Sequence, residues 1–411
     1  MPNQQPYTYR ILSRCKGAPV TKGEPILCDV DHRIIYAWPG FPDYFAEIIE
    51  KDLDGEIAKK DGIHVVLDHM CPPRDQTQCD YLDLVRNWCK EQGLAYAEGE
   101  GIGHYLAIEQ SWVKPGMLVT HFDAHVASVG AVGALGVGLA IEMLVSLVTA
   151  KMWLDVPPVY RIDLKGKLTP GVMGRDLLHY IVAKLGTVSY SGAVLEFYCD
   201  GDSGLTLDDK MVICNLINHL GAMSAVFVPE GEEKADDSCY EEIIPIDLPS
   251  LEPYMGCPPS TNTAEPLAAH AGKEINMAIV GTCSGGGIND IATAANILRG
   301  KKVKDGVRFY VCPSTNNVFK TAVEKGYIND LIEAGAFLSS PTCDFCYGRA
   351  VYLQKGHRAI STQPLNVPGR LGSSESEIFL ASPAAVAVSA LNGAITDPRT
   401  VVVKEGVADD C

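Results

Sequence analysis

The chain has 411 residues, 47% of them hydrophobic and 21% charged, which suffices for the buried cores of two to four domains. A formal net charge of −17 argues against nucleic acid or an anionic membrane surface as partner. The 14 cysteines follow no disulfide-framework spacing, and the N-terminal residues include Arg10, Arg14 and Lys16 but no apolar secretory core. A reducing compartment is therefore expected: the cytoplasm, or the mitochondrion if the basic N-terminus is a presequence.

In chain order, residues 63–68 read as a strand ending at Asp68-His69, and 81–92 as a helix by the spacing of Leu82, Val85 and Trp88, stopped by Gly93. Residues 117–122 form a second strand, ending at Asp123-Ala124-His125. The following run, 131–150, imitates a membrane span but carries Glu142 amid Gly, Ala and Val. A charge at mid-span costs about 2.5–3.5 kcal/mol, so a long buried helix is expected instead.

A second unit alternates strand 160–168, helix 175–185, strand 193–198 with Glu196, and helix 207–220 behind the capping candidate Thr206. The acidic run 231–237 reads as a solvated loop, and the Pro- and Thr-rich 257–266 as a linker. From about Ala271 a third unit alternates strand 277–282, helix 288–298, strand 307–312 and helix 318–334, and ends with helix 384–391 behind Ser382-Pro383. Repeated strand-then-helix order predicts parallel sheets with sites at the strand C-termini.

Three thiols stand at such ends. Cys283 lies in Gly281-Thr282-Cys283-Ser284-Gly285-Gly286-Gly287, and Cys343 and Cys346 form a C-x2-C turn after the segment 336–341. Structural zinc takes four ligands, whereas a four-iron cluster on three thiolates keeps one iron open as a Lewis acid. Zinc on three thiols, or a buried cysteine beside an unrelated C-x2-C, remain alternatives. The glycines after Cys283 are expected to bring backbone and N–H groups against a bulky cofactor. Asp68, His69, His104, Asp123, His125 and Glu196 all fall in or beside strand-end loops, so that histidine–carboxylate pairs can form for proton transfer.

These motifs together resemble the aconitase superfamily, in particular the large subunits of 3-isopropylmalate dehydratase and homoaconitase, over nearly the whole length. Gly281-Thr282-Cys283-Ser284-Gly285 resembles the family's G-S-C-T-N block and Cys343 to Gly348 its C-x-x-C-x-G. Asp68-His69, Gly101-Ile102-Gly103-His104 and Asp123-Ala124-His125 resemble its D-H, G-I-x-H and D-S-H. The resemblance implies three α/β domains with parallel sheets around a [4Fe–4S] cluster, spanning 1–157, 158–270 and 271–411. It implies Cys283, Cys343 and Cys346 as cluster ligands, with Asp68 paired to His69, His104 to Asp123 and His125 to Glu196. The implied activity is dehydration, or hydro-lyase-type isomerisation, of a small 2-hydroxy acid; a non-catalytic cluster-bearing sensor or assembly subunit is the contender.

The departures from the family concern the substrate. The arginine-bearing N-R-N-F-x-G-R reads Pro364-Leu365-Asn366-Val367-Pro368-Gly369-Arg370, so Arg370 remains to bind a carboxylate and Leu365 replaces the first arginine. The D-S-H serine is Ala124, the Thr-Asn after the first cysteine is Ser284-Gly285, and residues 31–38 depart from the family's substrate-side loop. An altered substrate, a substituted malate, is expected. The family's swivelling fourth domain has no counterpart here, which implies either a separate small subunit carrying the missing base or another base in its place.

Overall fold

A computed structural model describes residues 5–37, 47–53, 56–186, 190–346 and 348–401. Trp38, at the end of the altered N-terminal loop, and Tyr347, inside the C-x2-C block, lie outside the described residues. No helix among those described is long and apolar enough to cross a membrane. The chain packs into two compact units, Met1–Asp163 with Tyr190–Tyr198 and Gly221–Pro245, and Leu164–Ser189 with Cys199–Leu220 and Ile246–Cys411. The middle segment, 158–270, thus contributes to both.

Unit 1 begins with helix α1 (Tyr7–Lys16) and strands β1 (Pro25–Asp29) and β2 (His32–Tyr36). There follow β3 (Ile63–Leu67), α2 (Gln76–Gln92), β4 (Ala95–Glu98), α3 (Gly103–Glu109), β5 (Leu118–His121), β6 (Leu135–Gly138), α4 (Glu142–Thr149) and β7 (Lys151–Asp155). Strands β4-β3-β2-β5-β6 form an all-parallel sheet. Alternation along β2 and β3 sends Ile35, Val65 and Leu67 to one core and Ile34 and Val66 to another. Both faces are therefore covered, as a parallel sheet requires, and each such buried side chain contributes about 1.5–3 kcal/mol. A second sheet of order β10-β9-β8-β11 joins β8 (Val159–Lys165), β9 (Val194–Asp200), β10 (Ser224–Phe227) and β11 (Ile243–Asp247).

The apolar run 131–150 is not one helix. It closes a 3-10 turn (Ala124–Val132), forms β6 and only then becomes α4. Gly136 explains the strand: a Cβ there would stand 2.3 Å from the Val126 carbonyl oxygen, so β6 presses on the preceding turn with no room for a side chain. The acidic run is a loop, as expected, but one tied down by ion pairs: Glu232 binds Arg10, Lys234 binds Asp163 and Asp237 binds Arg161.

Unit 2 holds α5 (Gly174–Leu185), α6 (Leu207–Asn215), β12 (Tyr254–Gly256), β13 (Ala264–Pro266), β14 (Met277–Gly281), α7 (Ile288–Leu298) and β15 (Arg308–Cys312). It continues with α8 (Asn316–Glu324), α9 (Tyr327–Ala334), β16 (Phe337–Leu338), β17 (Arg358–Ser361), β18 (Glu377–Leu380) and α10 (Pro383–Asn392). One sheet runs β13-β12-β18-β17-β14-β15-β16, parallel from β18 to β16, with an antiparallel β12–β13 hairpin at its edge. Two expectations change here. The segment 257–266 is the turn and second strand of that hairpin rather than a linker, its prolines tolerated because an edge strand has an unpaired side. The helix expected over 318–334 is split by Gly326, whose φ of 79° turns the chain between α8 and α9.

Filling the Gly136 contact tests the packing of β6. Gly136→Ala must displace backbone and is expected to destabilise the protein by about 1–3 kcal/mol, read as a lowered thermal midpoint. An unchanged midpoint would show that the turn is free to yield.

Candidate active site: two strand-end clusters

In unit 1, the C-terminal edge of the parallel sheet gathers the titratable residues. Asp68 and His69 follow β3, His121 ends β5, and Asp123 and His125 come directly after it. His104 lies in the first turn of α3, held there because Asp68 accepts the Gly103 N–H at 3.1 Å. The other Asp68 oxygen meets His69 Nδ1 at 2.7 Å, so one buried carboxylate fixes both a ring and a helix start. Burial alone would raise its pKa, but His69 and the hydrogen bonds bring the carboxyl below the ordinary range.

Asp123 accepts the His125 N–H at 2.8 Å, and its carboxylate stands 4.0 Å from His125 Nε2. Burial pushes this carboxyl up, while His125, His104 and His121 together hold it far below its usual value. Burial lowers His104, opposed by Asp123, and its Nδ1 has no hydrogen-bond partner among the described residues. The cluster is thus a carboxylate favoured in its ionised form among imidazoles, of which burial lowers His104 and His121.

Two members were not foreseen. His121 accepts the Asp123 N–H on Nδ1 at 2.9 Å, which leaves the proton on Nε2. Tyr36, at the end of β2, stacks between His121 and His69, each 4.9 Å away between ring centroids. The available signal was positional: both residues end strands on the edge that carries Asp68 and Asp123. His125 is brought to Asp123, and Glu196 is held within its own sheet. Its Oε1 accepts the Thr8 N–H at 2.6 Å, and its Oε2 accepts from the Tyr198 and Tyr240 hydroxyls at 3.1 and 3.2 Å.

In unit 2 the three thiols come together. Cys283, Cys343 and Cys346 are all buried, and the Cys346 thiol shares hydrogen bonds with both others. Those bonds, with the positive charge of Arg370, hold Cys346 well below the usual thiol range against the effect of burial. Arg370 lies in a turn whose carbonyl packs on Gly348 of the C-x2-C segment. Leu365, half-buried, follows Pro364, whose carbonyl takes a hydrogen bond from His219 Nε2 at 2.9 Å.

The loop bearing Cys283 leaves the C-terminus of β14 under strain. Thr282, β-branched, has a φ of 68°, the kind of outlier that persists only where surroundings enforce it. The enforcement is visible. Asn215 donates to the Cys283 carbonyl at 3.3 Å, Thr362 Oγ1 accepts the Gly281 N–H at 2.8 Å, and the buried Arg175 guanidinium donates to the carbonyls of Ser284, Thr362 and Gln363. The glycines after Cys283 also have a use within the protein. A Cβ on Gly285 would meet Thr362 at 2.3 Å and one on Gly287 would meet Asp208 at 2.2 Å. They let the loop close on the protein itself, and the Gly287 N–H is taken by Asp290.

Arg175 is embedded in carboxylates that cap helices. Asp209 accepts from Thr206 N and Gly174 N, Asp208 from Asn289 N, Asp290 from Gly287 N and Asp176 from Met173 N. Burial raises Asp176 to about 7 and Asp208 to about 6, and burial with Asp208 and Asp209 raises Asp290 further, opposed by Arg175.

Crystallised aconitase X of Thermococcus kodakaraensis, in its holo-form, has a similar fold: TM-score 0.51 at 11% identity, covering 82% of this chain and 84% of that one. The chain belongs to the aconitase family (aconitate hydratase), which matches residues 65–235 and 258–393. The 3-isopropylmalate dehydratase large subunit of Wolinella succinogenes is 34% identical over 369 residues, covering 84% of this chain and 87% of that protein. The corresponding subunit of Clostridium botulinum (strain Alaska E43) is 35% identical over 367 residues, with 84% and 88% covered.

Two measurements probe the clusters. Arg175→Met removes a buried positive charge that opposes the raised Asp290 carboxyl and the donors to three loop carbonyls, and is expected to cost about 3–5 kcal/mol, read from the denaturant midpoint; a shift under about 1 kcal/mol would mean the carbonyls find other donors. For His121, burial lowers the folded pKa to about 3 from 6.5, so the unfolded chain binds the extra proton between those values. Its contribution to stability is therefore present above pH 6.5 and lost on acidification toward pH 3. His121→Gln should flatten the fall of unfolding free energy between about pH 6 and pH 4, and an unaltered slope would rule out that assignment.

Proposed function

We propose that the protein is a hydro-lyase, or hydro-lyase-type isomerase, of a small 2-hydroxy acid, working with a [4Fe–4S] cluster held by Cys283, Cys343 and Cys346. The observation that carries this reading is the meeting of three buried thiols at Cys346 beside Arg370, in a chain of the aconitase family. The donor set fits the group, being three thiols on two strand-end loops with no fourth protein ligand called for. When bound, such a cluster supplies a Lewis-acidic iron that makes hydroxide a tolerable leaving group.

The chain's own residues then divide the work. Cys283 is kept in place by Arg175, Asn215 and Thr362, and Arg370 offers a bidentate, charge-assisted contact to a substrate carboxylate. His69 and His104 are the proton-transfer candidates. Asp68 orients the first ring, and the unpartnered Nδ1 of buried His104 is the ring atom that remains to meet a substrate. Asp123 stabilises positive charge on His104 or His125. Glu196, held by the Thr8 N–H and the Tyr198 and Tyr240 hydroxyls, serves as a structural tie.

Leu365 in place of an arginine points to a substrate that presents an apolar substituent at that position, such as a substituted malate. A carboxylate buried there without a partner would cost about 2 kcal/mol or more. The named relatives are large subunits, which supports a small swivel-domain subunit supplying the base that removes the β-proton.

To test this, the chain is reconstituted anaerobically with iron and sulfide, alone and with a small-subunit partner. Visible absorbance should appear and should require each of Cys283, Cys343 and Cys346; full cluster content in Cys283→Ser would refute the ligand set. Turnover should need the partner, with kcat/KM for 2-substituted malates above that for citrate. Leu365→Arg should shift that ratio toward citrate by about tenfold or more, as expected for one charge-assisted hydrogen bond. An unchanged ranking would refute the pocket reading.

A further inference from the structure

The edge hairpin read as a linker brings together three metal-ligating side chains that the proposed chemistry does not use. Cys257 directly follows β12, Glu265 lies in β13, and His270 ends the 3-10 turn Leu267–His270 that follows. The antiparallel register pairs Met255 with Glu265, and the Cys257 N–H bonds the Thr263 carbonyl at 2.7 Å. Residues 255, 257 and 265 thus share one face of the hairpin by pleat alone. His270 is steadied over the same edge by the Phe379 ring, 5.3 Å away between centroids.

The three ligand atoms lie within 4.8 Å of one another. Their arrangement around the imidazole is unusual. Cys257 Sγ stands 3.4 Å and Glu265 Oε2 2.7 Å from the same nitrogen, His270 Nε2, while Nδ1 is occupied by Lys273 Nζ at 2.8 Å. A nucleophilic relay would put the thiol and the carboxylate on opposite ring nitrogens. A sulfur and an oxygen crowded on one nitrogen is instead the pattern of ligands around a shared cation. Zinc–ligand distances of about 2.0–2.3 Å give neighbouring tetrahedral ligands separations of roughly 3.3–3.6 Å. The sulfur–nitrogen spacing already fits, and the nitrogen–oxygen spacing needs to open by about half an ångström.

We propose that Cys257, Glu265 and His270 form a second metal centre, a three-ligand site for Zn²⁺ or a similar borderline divalent ion, which clamps the β12–β13 hairpin to the turn after it. The thiol is protonated in the free protein, since burial, and then Glu265, raise it to about 12. Metal binding therefore releases the thiol proton to solvent. The imidazole proton moves from Nε2 to Nδ1, and Lys273 turns away as its acceptor is lost. Lys273 is the site's built-in competitor, holding His270 in the tautomer that cannot ligate through Nε2 until the ion arrives.

Cobalt(II) serves as the probe, because thiolate ligation gives it a near-ultraviolet charge-transfer band. The full-length chain carrying Cys283→Ser, Cys343→Ser and Cys346→Ser is titrated anaerobically with Co²⁺ and back-titrated with Zn²⁺. One equivalent should bind with the thiolate band, and Zn²⁺ should displace it. Cys257→Ser in that background should abolish the band, and His270→Gln should weaken binding about 10–100-fold, with circular dichroism confirming that each variant is folded. Lys273→Met should tighten binding about tenfold by removing a nearby positive charge. Absence of the band in the triple-serine chain, or equal affinity in the folded Cys257→Ser, His270→Gln and Lys273→Met variants, would overturn the proposal.

Discussion

One guanidinium holds unit 2 in its working shape. Arg175 lies buried at the start of α5 and donates to carbonyls on two separate loops, one carrying Cys283 and one leading to Leu365 and Arg370. A planar fork of donors suits carbonyls at several angles, which a lysine ammonium on a flexible stem would not match. The same charge lies among aspartates that cap α5, α6 and α7. Three helix N-termini, each with unsatisfied N–H groups, are thereby locked to one another. The strained Thr282 conformation is stable only because this lattice surrounds it.

Unit 1 solves a comparable problem differently. Its buried cation, Arg33, ties the carbonyls of Ala58, Lys59, Ser146 and Leu147 and so fixes the end of α4 against β2, away from the histidines. The histidine cluster is organised by stacking and by backbone N–H groups rather than by a cation. Tyr36 separates His69 from His121, and Asp68 and Asp123 each accept a backbone N–H while facing a ring.

The legible part of the sequence was what repeats. Strand-then-helix alternation marked β3, α2, β5, β9 and β14 to within a few residues, because strand and helix periods differ and both sheet faces are buried. It placed Asp68, His69, Asp123, His125 and the cysteines on strand-end loops, since parallel topology sends such loops to one edge. Close approach and long-range polar contact were not legible. Nothing local distinguishes the Gly-Ala-Val run of a buried helix from β6, where Gly136 is required by a neighbouring carbonyl. The family resemblance implies Glu196 as the partner of His125, but nothing local in the sequence shows that Thr8, far away in the chain, donates its N–H to that glutamate. Arg175 and Asp176 begin a helix in the sequence, and only the fold shows that they face inward.

The distribution of altered residues follows the same physical division. Positions that differ from the family motifs, such as Ala124, Gly285 and Leu365, involve side chains or their absence on the loops, while the backbone scaffolding around them is self-contained. Gly285 illustrates the point: its lack of a side chain is demanded by Thr362, which in turn bonds the Gly281 N–H and carbonyl at the root of the cysteine loop. A larger residue there would require Thr362 to change as well, so the pair must vary together or not at all. Leu365 is half-buried beside a proline whose carbonyl is already satisfied by His219.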